Sequence, residues 1–116
     1  MSVRLALRLE GAAVGAVAVA LYVDQGYSWL ALLLLWLAPD VGALGYLAGN
    51  RTGAVVYDVT HFEGWPIALG AVGVVADSGL AVQLALIWLS HIGIDRAIGY
   101  GLKYPTAFKD THLQRV

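Results

Sequence analysis

Four long apolar stretches alternate with very short polar ones along this chain. The apolar stretches run from about Arg4 to Val23, Ser28 to Gly49, Gly53 to Ala76 and Gly79 to Leu102. Each has about the 20 residues that a helix needs to cross the hydrocarbon core of a bilayer. Helices joined by such short turns must lie antiparallel to their neighbours. The pattern therefore predicts an all-α fold, an integral membrane up-down four-helix bundle over residues 1–103.

The composition agrees with a membrane protein and excludes several other classes. Of the 116 residues, 59% are hydrophobic and only 13% are charged, whereas soluble domains hold about 25% charged residues. Because the chain has no cysteine, it can form no disulfide, no thiolate metal site and no thiol redox centre. A net charge of -1 argues against a nucleic-acid partner. The partner that the composition indicates is the lipid bilayer.

The distribution of lysine and arginine predicts the orientation in the membrane. The first and third turns carry only Asp24 and Asp77, and the basic residues all lie at or near the other ends of the stretches. Cytoplasmic loops are enriched in lysine and arginine, so we expect a multi-pass protein of the cell membrane with both termini in the cytoplasm. Residues 104–116 then form a polar cytoplasmic tail. The basic residues are Arg4, Arg8, Arg51, Arg96, Lys103, Lys109 and Arg115.

Several ionisable side chains lie inside the apolar stretches. Such groups are costly in a membrane helix and usually face the protein interior or a water-filled cavity. At about 1.5 Å per residue, they lie about 9 to 16 Å from the cytoplasmic ends of their helices. His91 and Asp95 are four residues apart and therefore share a helix face. We expect one polar site, open toward the cytoplasm and formed by Glu10, Asp40, His61, His91 and Asp95.

Carboxylates and imidazoles that converge from facing helices are typical of metal sites in four-helix proteins. A set of histidines and carboxylates suits zinc, iron or manganese. The spacing is not a standard signature, because the chain has no His-Glu-x-x-His sequence. The prediction is a divalent metal ion held by those five side chains, with Asp40, Asp95 and Arg96 as the catalytic residues and Arg96 orienting or neutralising a carboxylate.

Prolines and glycines predict local features of the helices. Pro39 should kink the second helix just before Asp40, and Pro66 should weaken the third near the bilayer centre. Small residues four positions apart, such as Gly11 and Gly15 or Gly93 and Ala97, are typical of helices in close contact.

Other interpretations of the polar site stay open at this point. The carboxylates could form a buried ion-pair network with Arg96 in a structural membrane subunit. The same groups could relay protons or ions in a coupled carrier, which we would expect to be a homodimer because four short helices enclose little volume. The almost wholly apolar outer halves of the helices argue against transport. Haem held between His61 and His91 is disfavoured by the carboxylates around them.

Five motifs together resemble a known family. They are R-L-E-G from Arg8, P-D-x-x-x-x-G-Y from Pro39, Y-x-x-x-H from Tyr57, H-I-G-I-D-R-x-x-G-Y-G-L-K-Y from His91 and F-x-D-T-H-L from Phe108. The chain resembles, over nearly its whole length, a family of small bacterial membrane proteins catalogued as a domain of unknown function. The Pro-Asp motif and the intramembrane histidines are also loosely similar to membrane-bound metal-dependent hydrolases. Because a metal ion in the polar site would activate water or polarise a phosphoryl or ester oxygen, the leading hypothesis is a metal-dependent hydrolase acting on a lipid-like or phosphorylated substrate.

Overall fold

The chain is built from helices. The computed structural model describes all 116 residues and contains no named strand, only an isolated bridge between Lys103 and Thr111. The predicted all-α class is confirmed. The elements in order are α1 Val3–Asp24, α2 Trp29–Leu35, a 3-10 helix Ala38–Ala48 that we call the 3-10 segment, α3 Asn50–His61, α4 Gly64–Val75, α5 Gly79–Ile98 and α6 His112–Arg115.

Serine side chains begin three of the helices. The hydroxyls of Ser2, Ser28 and Ser78 accept the backbone N–H three residues further on, at 3.1, 3.2 and 3.3 Å. These bonds satisfy donors that have no partner inside the first turn of a helix. The short sequences before α1, α2 and α5 therefore fix where these helices start.

Two of the four predicted helices are broken, so the structure does not show an up-down bundle of four continuous helices. The second passes from α2 to the 3-10 segment, with Pro39 near the start of that segment. The third ends at His61, where Phe62 is extended (φ -86°, ψ 119°), and the chain resumes as α4. Proline has no N–H to donate, and its ring crowds the preceding turn.

The fourth predicted helix ends four residues early. Gly99 follows α5 in the left-handed conformation with φ 105° and donates its N–H to the carbonyls of Asp95 and Arg96. Glycine adopts this conformation readily and commonly ends helices in this way. The stretch after Ile98 is thus free to fold back over the helix ends.

Three helices are long and apolar enough to cross a membrane, which indicates a membrane protein. They are Val3–Asp24, Gly79–Ile98 and the stretch Trp29–Ala48, which includes α2 and the 3-10 segment. Large apolar residues such as Leu33, Leu34 and Val75 are more than two thirds exposed, at 71%, 71% and 89%. An exposed apolar surface of this extent is what a lipid environment covers.

The helices α1 and α5 are antiparallel and in very close contact. A methyl group added to Gly93 would collide with the backbone of Gly15 and the carbonyl of Gly11. Nearer the other end of the pair, Tyr22 and Ile87 belong to one buried cluster. The predicted close approach of the small residues in these two helices is confirmed.

Both termini lie at the same end of this helix pair, together with the segment 104–116. Arg8 Nε donates to the carbonyl of Ala97 at 2.8 Å, and Arg4 Nε donates to that of Leu113 at 3.0 Å. Asn50 Nδ2 donates to the carbonyl of Thr106 at 2.8 Å, so α3 also begins at this end. We call it the basic end, because the seven lysines and arginines lie on elements that meet there.

Candidate metal centre

Four side chains from three elements meet at one point. Asp40 comes from the 3-10 segment, His61 is the last residue of α3, and His91 and Asp95 lie one turn apart on α5. One ligand atom from each lies within 4.8 Å of all the others. The two helix breaks therefore lie at the site itself. The first break contributes Asp40 to the group and the second contributes His61.

Five of the six distances between the four ligand atoms are close to the edge lengths of a tetrahedral metal site, and the sixth, between the two carboxylate oxygens, is within 4.8 Å. His91 Nε2 lies 3.1 Å from both Asp40 Oδ1 and Asp95 Oδ2, while His61 Nε2 lies 3.1 and 3.5 Å from the same two oxygens. The two Nε2 atoms are 3.3 Å apart. Ligands about 2.0 to 2.1 Å from a zinc ion are separated by about 3.3 Å in a tetrahedral site. The group could hold a metal ion, although the same contacts also qualify as salt bridges if the histidines are protonated.

The hydrogen bond on the far side of the His61 ring determines which nitrogen carries the proton. Its Nδ1 lies 2.8 Å from the carbonyl oxygen of Tyr57, which can only accept, so Nδ1 must carry a hydrogen. In the neutral ring, Nε2 then presents a lone pair to Asp40 and Asp95. Lone pairs and carboxylate oxygens at these distances repel each other. A proton or a metal ion must therefore lie among them: a proton on Nε2, a proton on a carboxyl oxygen, or a bound cation.

Aromatic rings hold both imidazoles in place. The ring of Tyr57 stacks on that of His61 with centroids 3.7 Å apart and planes 9° from parallel, and Trp36 packs against His91 at 4.5 Å. The Nδ1 atom of His91 is buried without a hydrogen-bond partner. The spacing of Tyr57 and His61 on one helix face was readable from the sequence. Trp36 was missed, because nothing distinguishes it from the apolar residues around it.

The centre is closed on three sides and accessible on the fourth. The side chains of His61 and His91 are 0% exposed and that of Asp95 is 10% exposed, whereas Asp40 is 43% exposed. Asp40 and Asp95 line a cavity of about 360 Å³. The other lining residues are Ala43, Tyr57, Tyr100 and Phe108. Solvent or a substrate can reach the carboxylates through this cavity, which we call the site cavity.

Glu10 is not part of the group, contrary to the prediction. It lies on an exposed part of α1, because the neighbouring Gly11 is the residue that faces α5. Successive residues of a helix point about 100° apart, so a glycine in the contact turns Glu10 away from it. Glu10 lines a second cavity instead.

Arg96 does not neutralise a carboxylate, and this departs from the expectation. Its Nη2 donates to the carbonyl of His61 at 3.0 Å and its Nη1 donates to that of Tyr100 at 3.2 Å. No carboxylate oxygen lies within 4.0 Å of it. Arg96 holds the main chain at the end of α3, so it acts on the position of His61.

Lys103 is buried under the site cavity. Only 4% of it is exposed, and its Nζ lies 3.7 Å from the ring centroid of Phe108 and 4.4 Å from that of Tyr57. The same Nζ donates to the carbonyl of Phe108 at 2.7 Å, and the backbone N–H donates to Asp58 Oδ1 at 2.6 Å. Burial lowers the pKa of the Lys103 ammonium. Residues 104–116 therefore pack onto the helices and supply Phe108 to the site cavity.

Comparison with known proteins assigns a family and no reaction. Residues 4–116 match the family described as Domain of unknown function (DUF4260). No curated protein and no solved structure matches the chain. The similarity to membrane-bound hydrolases stays a prediction.

Proposed function

Because the chain belongs to the DUF4260 family, whose description names no reaction, we propose a function from the geometry of the site. The protein is an integral membrane metalloprotein that holds one divalent transition metal ion with His61, His91, Asp95 and Asp40. It is a hydrolase that cleaves a phosphoryl or ester bond of a lipid-like substrate at the cytoplasmic face. The observation that carries this proposal is the convergence of four ligand atoms, five of whose six separations match those of a tetrahedral site.

Charge favours a metal ion over a buried network of protonated histidines. One divalent cation neutralises two carboxylates and leaves both imidazoles in their uncharged form. A network without metal must instead hold extra protons on its rings or carboxyl oxygens, because two ionised carboxylates in one buried group repel each other. The nearest guanidinium, that of Arg96, donates to carbonyls and does not supply the missing charge.

The unequal burial of the ligands suggests different roles for them. Two histidines and one carboxylate are a common set in catalytic zinc sites, which keep a further position open. His61, His91 and Asp95 are the buried members, so they are the permanent ligands. Asp40, on the accessible side, is the fourth and exchangeable ligand, and its carboxylate is placed to take a proton from an attacking water. A bound metal ion would supply Lewis-acid activation of that water or of the substrate oxygen.

The walls of the site cavity suggest the substrate class. Tyr57, Tyr100 and Phe108 surround the two carboxylates, so the cavity combines aromatic walls with a charged base. The aromatic surface suits the apolar portion of a lipid, and the base suits a hydrolysable phosphoryl or ester group. Because the site cavity is lined by the 3-10 segment, α5 and residue Phe108 of the tail, it opens near the basic end. We place that end in the cytoplasm.

Metal analysis of protein purified without chelator tests the proposal. We expect about one zinc, iron or manganese ion per chain, as in other sites with this ligand set. His91→Ala should remove the metal, while His112→Ala should not, because His112 lies outside the group. Native protein that carries only traces and takes up none on titration would leave the ion-pair network as the better account.

A second variant separates metal binding from hydrolysis. Asp40→Asn should keep the metal on the three buried ligands and abolish release of phosphate or fatty acid from phospholipid vesicles. The matched variant Asp58→Asn removes a carboxylate that binds the backbone of Lys103 and does not belong to the group. If the native protein contains the metal ion but shows no metal-dependent hydrolysis, the enzymatic part of the proposal is refuted and the metal site is not.

A further inference from the structure

A second cavity of about 530 Å³ lies at the basic end, outside the group of four ligands. It is lined by polar residues from four regions, namely Glu10 of α1, Glu63 at the break between α3 and α4, Arg96 of α5 and His112 of α6. We propose that this cavity binds a phosphoethanolamine group, the zwitterionic headgroup of a membrane phospholipid. The proposal does not depend on a metal ion in the first site.

The guanidinium of Arg96 is the part of the cavity suited to a phosphate. Only 8% of Arg96 is exposed, and two of its N–H donors are used by the carbonyls of His61 and Tyr100. No carboxylate oxygen lies within 4.0 Å of it, so this buried positive charge has no direct counter-ion in the protein. A buried charge without a partner is costly, and arginine binds phosphate oxygens through paired N–H groups. The remaining donors are therefore available to an anion in the cavity.

The two glutamates are the part suited to an ammonium. Neither the side chain of Glu10 nor that of Glu63 makes a hydrogen bond or salt bridge in the protein, and both line the same cavity as Arg96. A ligand with only negative charge would be repelled by these carboxylates, and one with only positive charge would be repelled by the guanidinium. A zwitterion with phosphate and ammonium a few bonds apart satisfies both.

The kind of ammonium group follows from the same residues. A primary ammonium donates hydrogen bonds to carboxylates, whereas the quaternary ammonium of choline has no N–H and is usually bound by several aromatic rings. The rings that line the cavity are those of Phe62 and His112, too few for such a cage. Leu7 and Val14 form an apolar wall beside the charged groups, against which the glycerol and first methylenes of a lipid can pack.

Native mass spectrometry of the full chain in detergent tests this proposal. The delipidated protein is titrated with phosphatidylethanolamine, phosphatidylcholine and phosphatidylglycerol of identical acyl chains. We expect preferential retention of phosphatidylethanolamine. The double variant Glu10→Gln, Glu63→Gln should lower that affinity about tenfold or more, because two charge-assisted hydrogen bonds are lost. The matched control Asp24→Asn, Asp77→Asn removes two carboxylates at the opposite end and should bind like the native chain.

Additional measurements show whether the headgroup belongs to a lipid or to a soluble molecule, and they test the second cavity independently of the metal centre. Soluble phosphoethanolamine should displace the bound lipid. If the protein binds soluble phosphoethanolamine but retains none of the three lipids, the ligand is a soluble molecule that carries the same group. Equal retention of the three lipids, or equal affinity in the glutamate variant and its control, would overturn the proposal. Metal content measured on the same samples should be unchanged in the glutamate variant, so failure of either proposal is seen separately.

Discussion

The ring of Tyr57 supports His61 from one side and faces the site cavity. The two rings are nearly parallel with centroids 3.7 Å apart, and the Tyr57 hydroxyl makes no hydrogen bond within the protein. A stacked ring limits the rotation of the imidazole and so keeps Nε2 aimed at the other ligands. The contribution of Tyr57 should therefore come from its ring and not from its hydroxyl.

This role predicts different effects of two substitutions at residue 57. Tyr57→Leu should lower the free energy of unfolding by about 1–3 kcal/mol and weaken metal binding, because stacking and packing volume are lost together. Tyr57→Phe keeps the ring and should change neither. Thermal unfolding in detergent and metal titration of both variants measure these effects. Equal behaviour of the two variants would mean that stacking does not hold His61.

Single residues also show how far the sequence predicts the site. Asp40, His61, His91 and Asp95 were expected together because each would be costly in lipid, and the structure brings them together. Glu10 lay at a similar calculated depth but points elsewhere, since depth gives no information on the rotation of α1 about its axis. That rotation is fixed by the contact of Gly11 and Gly15 with α5.

The contact between α1 and α5 is the closest approach of two long helices in the molecule. Gly93 meets the backbone of Gly15, so its α-carbon leaves no room for a side chain. Gly70 on α4 is different, because a methyl group there would lie 3.4 Å from the Cβ of Ala85, at ordinary contact distance. These two glycines form a matched pair in which helix propensity is the same and packing differs.

Gly93→Ala should lower the free energy of unfolding by about 1–3 kcal/mol, the usual cost of overpacking a well-packed interior. Gly70→Ala should be neutral or slightly stabilising, because alanine favours the helix. Unfolding of both variants in mixed micelles, followed by circular dichroism, gives the comparison. A loss of stability in Gly70→Ala as large as that in Gly93→Ala would show that the close contact is not what matters.

The segment after α5 carries a histidine that must be neutral to make its contacts. His112 Nδ1 accepts the backbone N–H of Leu102 at 2.8 Å, and the backbone N–H of His112 donates to the carbonyl of Leu102 at 2.9 Å. A ring nitrogen accepts a hydrogen bond only when it is unprotonated. Burial lowers the pKa of His112 below the usual value near 6.5.

A lowered pKa in the folded chain means that this stabilisation is complete above about pH 6.5 and is lost as the pH falls through the folded-state pKa. The protection of the Leu102 and His112 amides against hydrogen exchange, relative to their intrinsic rates at each pH, should therefore fall on acidification. In His112→Gln the exchange at these positions should follow only its intrinsic dependence on pH. Exchange with the same pH profile in both proteins would exclude His112 as the titrating group.

The breaks in two predicted helices show which part of the fold the sequence leaves open. Pro39 and Pro66 indicated weak points, but not that α3 would stop at His61 or that the chain from Ala38 would continue as a 3-10 helix. The burial of Lys103 was equally unreadable, because it depends on the tail folding back to place Phe108 over it. Apolar length predicts a span, whereas the local path at a break depends on contacts made by distant residues.

At the scale of the whole molecule, the two ends of the helix pair α1 and α5 differ in charge. The turns that contain Asp24 and Asp77 lie at one end of the antiparallel pair α1 and α5, since Tyr27 of the first turn approaches Gly79 at the start of α5. The basic residues lie on elements that meet at the other end, where Arg4 contacts Leu113 and Asn50 contacts Thr106. Lysine and arginine are enriched on the cytoplasmic side of membrane proteins.

The last prediction is therefore the orientation of the chain, with the basic end and both site openings in the cytoplasm. Because the native chain has no cysteine, single cysteines introduced at Asp77 and at Lys109, both exposed, can be labelled without background. A membrane-impermeant maleimide should label Asp77→Cys in intact cells and Lys109→Cys only after the membrane is opened. The reverse pattern would place the site openings outside the cell and exclude a cytoplasmic substrate, while labelling of both positions in intact cells would contradict an arrangement with two separate ends.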